Sequence, residues 1–263
     1  MAASMLVNLG DVQRARGQFD AAHDAYLEAY QLVARSTKGY ASPIAAAMLR
    51  VSRTYVERGE PDAAVPILRE LQTRMRGKAS VDARLWLAAQ QVVAYAAVGD
   101  EEAAARVDAS FEEPPAEEGN AQWRALWLAR ARRQLNQGRV EEARKTAERA
   151  LSISERLEGR DSEAIVEPLA LRSHILLRQG KVDAAIADGR RALEAFERFA
   201  ADHDVIDPGS AADNARAQAA LAGALSRRGD TQEATRLRKK AREFFAKMPK
   251  TYAAELAALD ADD

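Results

Sequence analysis

Along this chain apolar residues recur at three- and four-residue spacing and do not alternate, the pattern of amphipathic helices. A glycine interrupts each helical run and opens a six-residue string that recurs along the chain. The copies read GQFDAA from Gly17, GEPDAA from Gly59, GDEEAA from Gly99, GRVEEA from Gly138, GKVDAA from Gly180 and GDTQEA from Gly229. Five residues after each glycine stands an alanine: Ala22, Ala64, Ala104, Ala143, Ala185 and Ala234.

A glycine closing a helical run takes the left-handed conformation at no Cβ cost, so the first helix stops there. Asp20, Asp62, Glu102, Glu141 and Asp183 then stand where the next helix begins, placed to cap free backbone N–H groups and to complement the positive end of the helix dipole. So short a connection forces antiparallel neighbours, and the alanine one turn on lets the two backbones approach. Helical spacing assigns the packing faces. Leu6, Leu9, Gly10 and Gln13 precede Gly17, with Ala22, Tyr26 and Ala29 after it. The second copy offers Met48, Val51, Ser52 and Tyr55, then Ala64, Leu68 and Leu71; the fourth offers Trp127 and Ala131, then Ala143, Ala147 and Ala150.

Leu9-Gly10, Ala22, Tyr26 and Ala29 resemble the tetratricopeptide repeat (TPR), which places Leu-Gly in its first helix and Ala, an aromatic and Ala in its second. The resemblance runs along essentially the whole chain, with divergent positions at Asp108, Gly189 and Arg238. Glycine to glycine, the intervals are 42, 40, 39, 42 and 49 residues, longer than the ~34 of the common form. In this the chain is similar to the long repeats of kinesin light chains and of bacterial regulatory proteins, including arrays attached to bacterial kinases. HEAT and armadillo repeats share the period, though the glycine-to-alanine spacing disfavours them. The fold implied is all-α: a right-handed α-solenoid of about six TPR-like antiparallel helix pairs plus a short C-terminal capping helix, over residues Thr251 to Leu259. We expect one superhelical domain over 1–263, a hinge at the Pro-rich, acidic segment 112–120, a second irregular link over 200–210, and a frayed acidic tail at 260–263. Leu6 already sits at a packing position, so the natural protein is expected to continue upstream, into a kinase or DNA-binding domain.

Composition narrows the function. The 263 residues are 47% hydrophobic and 30% charged, enough for a large interior. Lys plus Arg (39) balance Asp plus Glu (40), which leaves a net charge of −1 and argues against nucleic acid or an anionic membrane as partner. No stretch reaches the ~18 apolar residues of a membrane span. The absence of cysteine removes thiolate chemistry and leans to a reducing, cytoplasmic location. His23, His174 and His203 fall in different repeats, unsuited to a shared metal or to a catalytic base beside a nucleophile. The carboxylates mix with basic residues on helix faces, as in Glu141 and Glu142 with Arg144 and Lys145, and no phosphate-cradling glycine cluster occurs. We therefore expect no enzyme, no cofactor and no metal.

In the resembling family the first helix of each pair lines a concave groove. Transferred by position, that geometry implies Arg14, Arg50, Arg53, Trp86, Arg132, His174 and Arg216 as partner-binding candidates, with Asp11 and Asn8 beside them. The set tilts basic, and arginines grip carboxylates in pairs of hydrogen bonds, so the expected ligand is an acidic protein or peptide. The lysine of the family's chaperone-binding clamp is replaced by Val7, Leu49, Ala89, Leu128, Ala170 and Ala219, which argues against that activity. The function implied is a protein-interaction scaffold or regulatory arm. A ligand-sensing domain controlling an attached kinase or DNA-binding output is the alternative, and an all-α enzyme with an inter-helix pocket a third. Charge reversal at Arg132 is expected to leave folding untouched.

Overall fold

The computed structural model describes residues 2–36, 42–112, 114, 119–204 and 206–261. Among these there are thirteen α-helices, a 3-10 turn at Glu163–Ile165 and no strand. The chain divides into two compact units, Met1–Glu113 and Pro114–Asp263. The first holds α1 (Ala2–Ala15), α2 (Phe19–Ser36), α3 (Ser42–Glu57), α4 (Pro61–Met75), α5 (Val81–Ala97) and α6 (Glu101–Asp108). The second holds α7 (Ala121–Asn136), α8 (Val140–Glu158), α9 (Val166–Arg178), α10 (Val182–Ala201), α11 (Pro208–Arg228), α12 (Thr231–Phe245) and α13 (Ala253–Ala261). Each repeat glycine falls between the two helices of a pair. The boundary between the units lies within 112–120, of which residues 113 and 115–118 are outside the described residues.

All six repeat glycines have positive φ, from 73° at Gly59 and Gly180 to 94° at Gly229. Each donates its N–H to the carbonyl three residues back, and the next residue donates to the carbonyl five back. At the first turn these bonds are Gly17 to Arg14 and Gln18 to Gln13, both 2.9 Å; at the last, Gly229 to Ser226 at 3.1 Å and Asp230 to Leu225 at 3.0 Å. This Schellman closure satisfies carbonyls the helix end would leave open. A Cβ on Gly17, Gly138 or Gly180 would meet nothing within 4 Å, so it is the backbone conformation that demands glycine there.

The acids behind the glycines take a narrower role than expected. Asp20, Asp62, Glu102, Glu141 and Asp183 all lie in the first turn of a second helix, where they complement the positive end of its dipole. They do not cap. The cap positions are Glu60, Arg139 and Lys181, and none bonds the backbone through its side chain; in the third pair Asp100 does, accepting from the Ala103 N–H at 3.0 Å. Arg139 and Lys181 carry only donors, so neither side chain can accept from a free N–H, whereas Asp100 does so from the same backbone geometry, with ψ of 70° beside their 61° and 65°. Extended caps occur on the links between pairs instead, at Ser80, Asn120 and Asp207.

The repeat alanines are buried, with Ala22, Ala64, Ala104, Ala143 and Ala185 fully so. Gly10 lies against the Tyr26 ring, where a Cβ would stand 2.5 Å from Cε1. Gly189, a divergence from the repeat pattern, has a packing reason: its missing Cβ would come 2.9 Å from that of Leu221 and hold α10 off α11. Leu9, assigned to the packing face, points outward and is 48% exposed, because Gly10 takes the contact with α2. Within each unit second helices pack on the next first helix, as α2 does on α3 and α10 on α11. First helices also touch one another, α1 with α3 and α3 with α5, α7 with α9 and α9 with α11, which places them on the inner side of the stack in each unit.

At the C-terminal end, Phe245 of α12 packs with Tyr252 and with Leu259 of α13. The helix runs through Asp260, which meets Arg242 at 2.8 Å; residues 262–263 of the expected frayed tail are outside the described residues. The irregular link expected over 200–210 does not account for the long final interval: the link is no longer than the one between α8 and α9, and the extra length lies in α11, 21 residues against 13 in α9, opened by the Asp207 cap and Pro208 at the first helical position.

Candidate functional site

Unit 1 brings Arg14, Arg50, Arg53 and Trp86 to one face, on α1, α3 and α5. Arg50 grips Asp11 of α1 with two bonds, Nε to Oδ1 at 2.7 Å and Nη2 to Oδ2 at 2.9 Å. Tyr26 donates its hydroxyl to the same carboxylate at 2.6 Å. Burial pushes the Asp11 carboxyl up, but the Arg50 and Tyr26 bonds outweigh it and hold the group below its ordinary range. The Arg50 guanidinium also lies 6.0 Å over the Trp86 ring, a cation–π contact. Arg14 reaches across to Glu57 of α3 at 2.5 Å, and Arg53 meets the same acid at 2.9 Å from one turn away. Arg14 and Arg50 are thus committed to ties between helices. Arg53, paired only along its own helix, keeps 45% of its side chain exposed, and Trp86 keeps 39% of its residue surface exposed.

Unit 2 places Arg132 on α7, His174 on α9 and Arg216 on α11. Arg132 meets Glu167 of α9 at 2.6 Å; Arg216 meets Asp213 at 3.0 Å and, from α13, Glu255 at 3.2 Å. The Arg216 guanidinium stacks 5.6 Å over Tyr252. Burial alone would lower the Arg216 pKa, yet the charges of Asp213 and Glu255 raise it. Burial pushes Asp213 up, and the Glu167 charge adds to it, bringing the carboxyl to about 7. Glu167 goes the other way: burial opposes ionisation, but the Arg132 charge and bond hold it below its ordinary range. Reversing Arg132 would leave Glu167 facing a like charge, so the expectation that folding ignores this change is corrected. His174 is exposed on α9.

Sequence alone does not bring in the acids Glu57, Glu167, Asp213 and Glu255. Two of them carry a local signal: Glu57 stands four residues after Arg53 on one helix, and Asp213 three before Arg216. Glu167 and Glu255 lie 35 and 39 residues from their arginines, and only the stacking of helices joins them. The basic tilt of the candidate set is therefore largely neutralised within the fold.

His23 is buried against Thr54, Nδ1 to Oγ1 at 2.8 Å, and burial lowers its pKa. His203 stacks on Phe199 at 4.1 Å. Among the described residues no three His, Asp or Glu side chains converge to hold a metal, and no helix is long and apolar enough to cross a membrane.

The sequence model of the tetratricopeptide repeat family matches residues 1–76 and 124–198. No curated protein matches the chain. Among solved structures, BtubC (BKLC) from P. vanneervenii is similar with a TM-score of 0.63 at 19% identity, over 89% of this chain and 92% of that one. A signal transduction ATPase with numerous domains, bearing a tetratricopeptide repeat sensor, from Pyrococcus horikoshii gives 0.63 at 16%, over 97% of this chain and 37% of that one. A Rap protein complexed with competence and sporulation factor gives 0.55 at 11%, over 83% and 60%. At these identities the likeness speaks for the fold.

Proposed function

The chain belongs to the tetratricopeptide repeat family, and from that premise we propose that it is a non-catalytic interaction scaffold whose first-helix face in unit 1 binds an acidic segment of a partner protein. The observation that carries this reading is the pairing of exposed Arg53 with exposed Trp86 on a wall already made rigid by the Arg50–Asp11 and Arg14–Glu57 ties. A pre-formed wall orders few groups on binding, so an aromatic anchor and a half-exposed guanidinium, tied only to Glu57 of its own helix, add affinity at little entropic cost. Three arginines face two acids there, Asp11 and Glu57, which favours an anionic ligand. Arg132 and Arg216, bound by three acids between them, serve unit 2 chiefly as fold ties.

The partner in this reading is protein or peptide; neither nucleic acid nor a membrane is needed, and the cysteine-free chain suits the cytoplasm. Control of an attached output domain is the regulatory form of the same reading, in keeping with the tetratricopeptide repeat sensor of the Pyrococcus protein. The test is selection from a random peptide library on the full chain. Enriched peptides should be rich in Asp and Glu, and Arg53→Glu combined with Trp86→Ala should weaken them by ~10-fold or more without altering the melting curve. Peptides without acidic bias, or acidic peptides indifferent to both substitutions, would refute it.

A further inference from the structure

Charge is spread unevenly along this chain. From Arg227 to Lys250 nine Lys and Arg stand against three Asp and Glu, in a chain whose net charge is −1. Most of that segment is α12, and its basic residues part into two groups. Arg238 and Arg242 turn to neighbouring helices, to Ser226 of α11 and Asp260 of α13. Arg236, Lys239, Lys240 and Lys247 are exposed on the side opposite buried Ala234, Leu237, Ala241 and Phe245.

Counted from the repeat glycines, α10 holds arginines where α12 holds lysines. Arg191, eleven residues after Gly180, reaches back to Glu155 of α8 at 2.7 Å, and Arg198, eighteen after it, meets Asp161 at 3.1 Å. Their counterparts behind Gly229 are Lys240 and Lys247, and Glu197 is the counterpart of Glu155. Among the described residues Lys240 and Arg236 make no ion pair, and Lys247 lies 5.8 Å over the Phe244 ring. A guanidinium bridges helices with donors in a fixed fork, whereas an ammonium is a strongly hydrated point charge that stays in water. Glu243 pairs with Lys239 at 4.0 Å and Glu233 with Arg190 at 3.3 Å, which leaves Arg236, Lys240 and Lys247 against Glu197.

We propose that the outer face of α12 docks an acidic segment of a partner protein, at a surface separate from the Arg53 and Trp86 wall of unit 1. Arg236, Lys240 and Lys247 follow one another at four- and seven-residue steps, ~6 and ~10.5 Å along the helix. Carboxylates at a like pitch meet them without moving the backbone. The shape of the patch selects among anions. It is one helix wide: α10, tied to α12 through Glu233, carries exposed Glu194 and Glu197, and α13, tied through Arg242, carries exposed Asp260. A flat anionic membrane or a nucleic-acid duplex would press its own charge on those acids. A single nucleic-acid strand asks for exposed aromatic rings on which its bases stack; Phe244 is half-buried beneath Lys247 and Phe245 is buried. A run of carboxylates on a protein needs neither breadth nor rings.

The probe is a labelled decaglutamate peptide titrated into the full chain at about 0.1 M salt, where charges more than ~10 Å away are screened. It has no apolar side chain for Trp86, so Arg53→Gln with Trp86→Ala should leave its binding near wild type, and failure here leaves the unit 1 reading standing. The expected result is saturable binding that Arg236→Glu with Lys240→Glu weakens by ~10-fold or more. Arg236→Gln with Lys240→Gln should weaken it by about three- to fivefold, the scale of exposed ion pairs, and neither variant should alter the melting curve. Decathymidylate, and phosphatidylcholine vesicles containing phosphatidylserine, should bind less tightly than the peptide. No saturable binding of decaglutamate, binding indifferent to both α12 variants, or tighter binding of either other anion overturns the proposal. Self-association of the chain in sedimentation that Arg236→Glu with Lys240→Glu abolishes would assign the face to a second copy and overturn it equally.

Discussion

Asp213 is the residue whose chemistry departs furthest from its sequence. In the unfolded chain its carboxyl ionises near the ordinary value of about 3.9, whereas in the fold burial and the neighbouring Glu167 bring it to about 7. Between those two values the folded state binds the extra proton. Its contribution to stability is therefore full below pH ~4, declines as pH rises toward 7 and is flat beyond. Glu163, pushed up by burial, acts in the same direction, while Glu167, held low, loses its contribution only as pH falls below its unfolded value. Asp213 and Glu163 should pull the thermal midpoint down between pH 5 and pH 8, against His23, whose burial-lowered pKa adds stability as pH rises through ~6.5, so the midpoint at pH 8 relative to pH 5 should stand higher in Asp213→Asn than in wild type. Equal slopes in the two proteins would show that Asp213 does not titrate in this window. None of this is legible in sequence. Asp213 reads there as an i,i+3 partner of Arg216 on an exposed helix face, and its raised pKa needs Glu167 from another helix. Arg53 is legible, because its side chain stays where the helical register alone puts it.

The helix pair is the scale at which sequence speaks most plainly. Glycine, first-turn acid and alanine recur in fixed order, and each acts through local geometry, so the turn can be read without knowing what lies beside it. Two features escape that reading. A capping role for the acids depends on which residue takes the cap position, and Asp62, Glu102, Glu141 and Asp183 stand two residues past it; the inward turn expected of Leu9 fails because the helical stripe does not reveal that Gly10, with no side chain, carries the contact with Tyr26. The pair itself can be tested through its closest approach. Ala185 is fully buried, and its carbonyl accepts from the Ser173 hydroxyl of α9 at 2.7 Å. Ala185→Glu must both overpack this contact and bury a charge without a partner, a cost of ~2 kcal/mol or more. Denaturant unfolding should register it as a lower midpoint at unchanged slope; a midpoint equal to wild type would show that α9 and α10 do not meet at the alanine.

At the scale of the whole chain, the repeats make stability a matter of neighbours. A helix pair in such an array buries its apolar face against the pairs before and after it, so free energy accumulates along the sequence and a lesion is felt most where it falls. In a globule built around one shared core the same lesion would loosen every element together. Ala185→Glu separates the two cases when amide hydrogen exchange is measured segment by segment. The alanine lies in α10, whose neighbours are α9 and α11, and unit 1 has its own buried clusters around Ile44, Met48, Leu68 and Leu71. Exchange should quicken first in α9 through α11 and remain near the wild-type rate in α1 through α4. A uniform acceleration over both units would mean that they unfold as one cooperative body, and the nearest-neighbour account of this chain would have to be replaced by a single-core one.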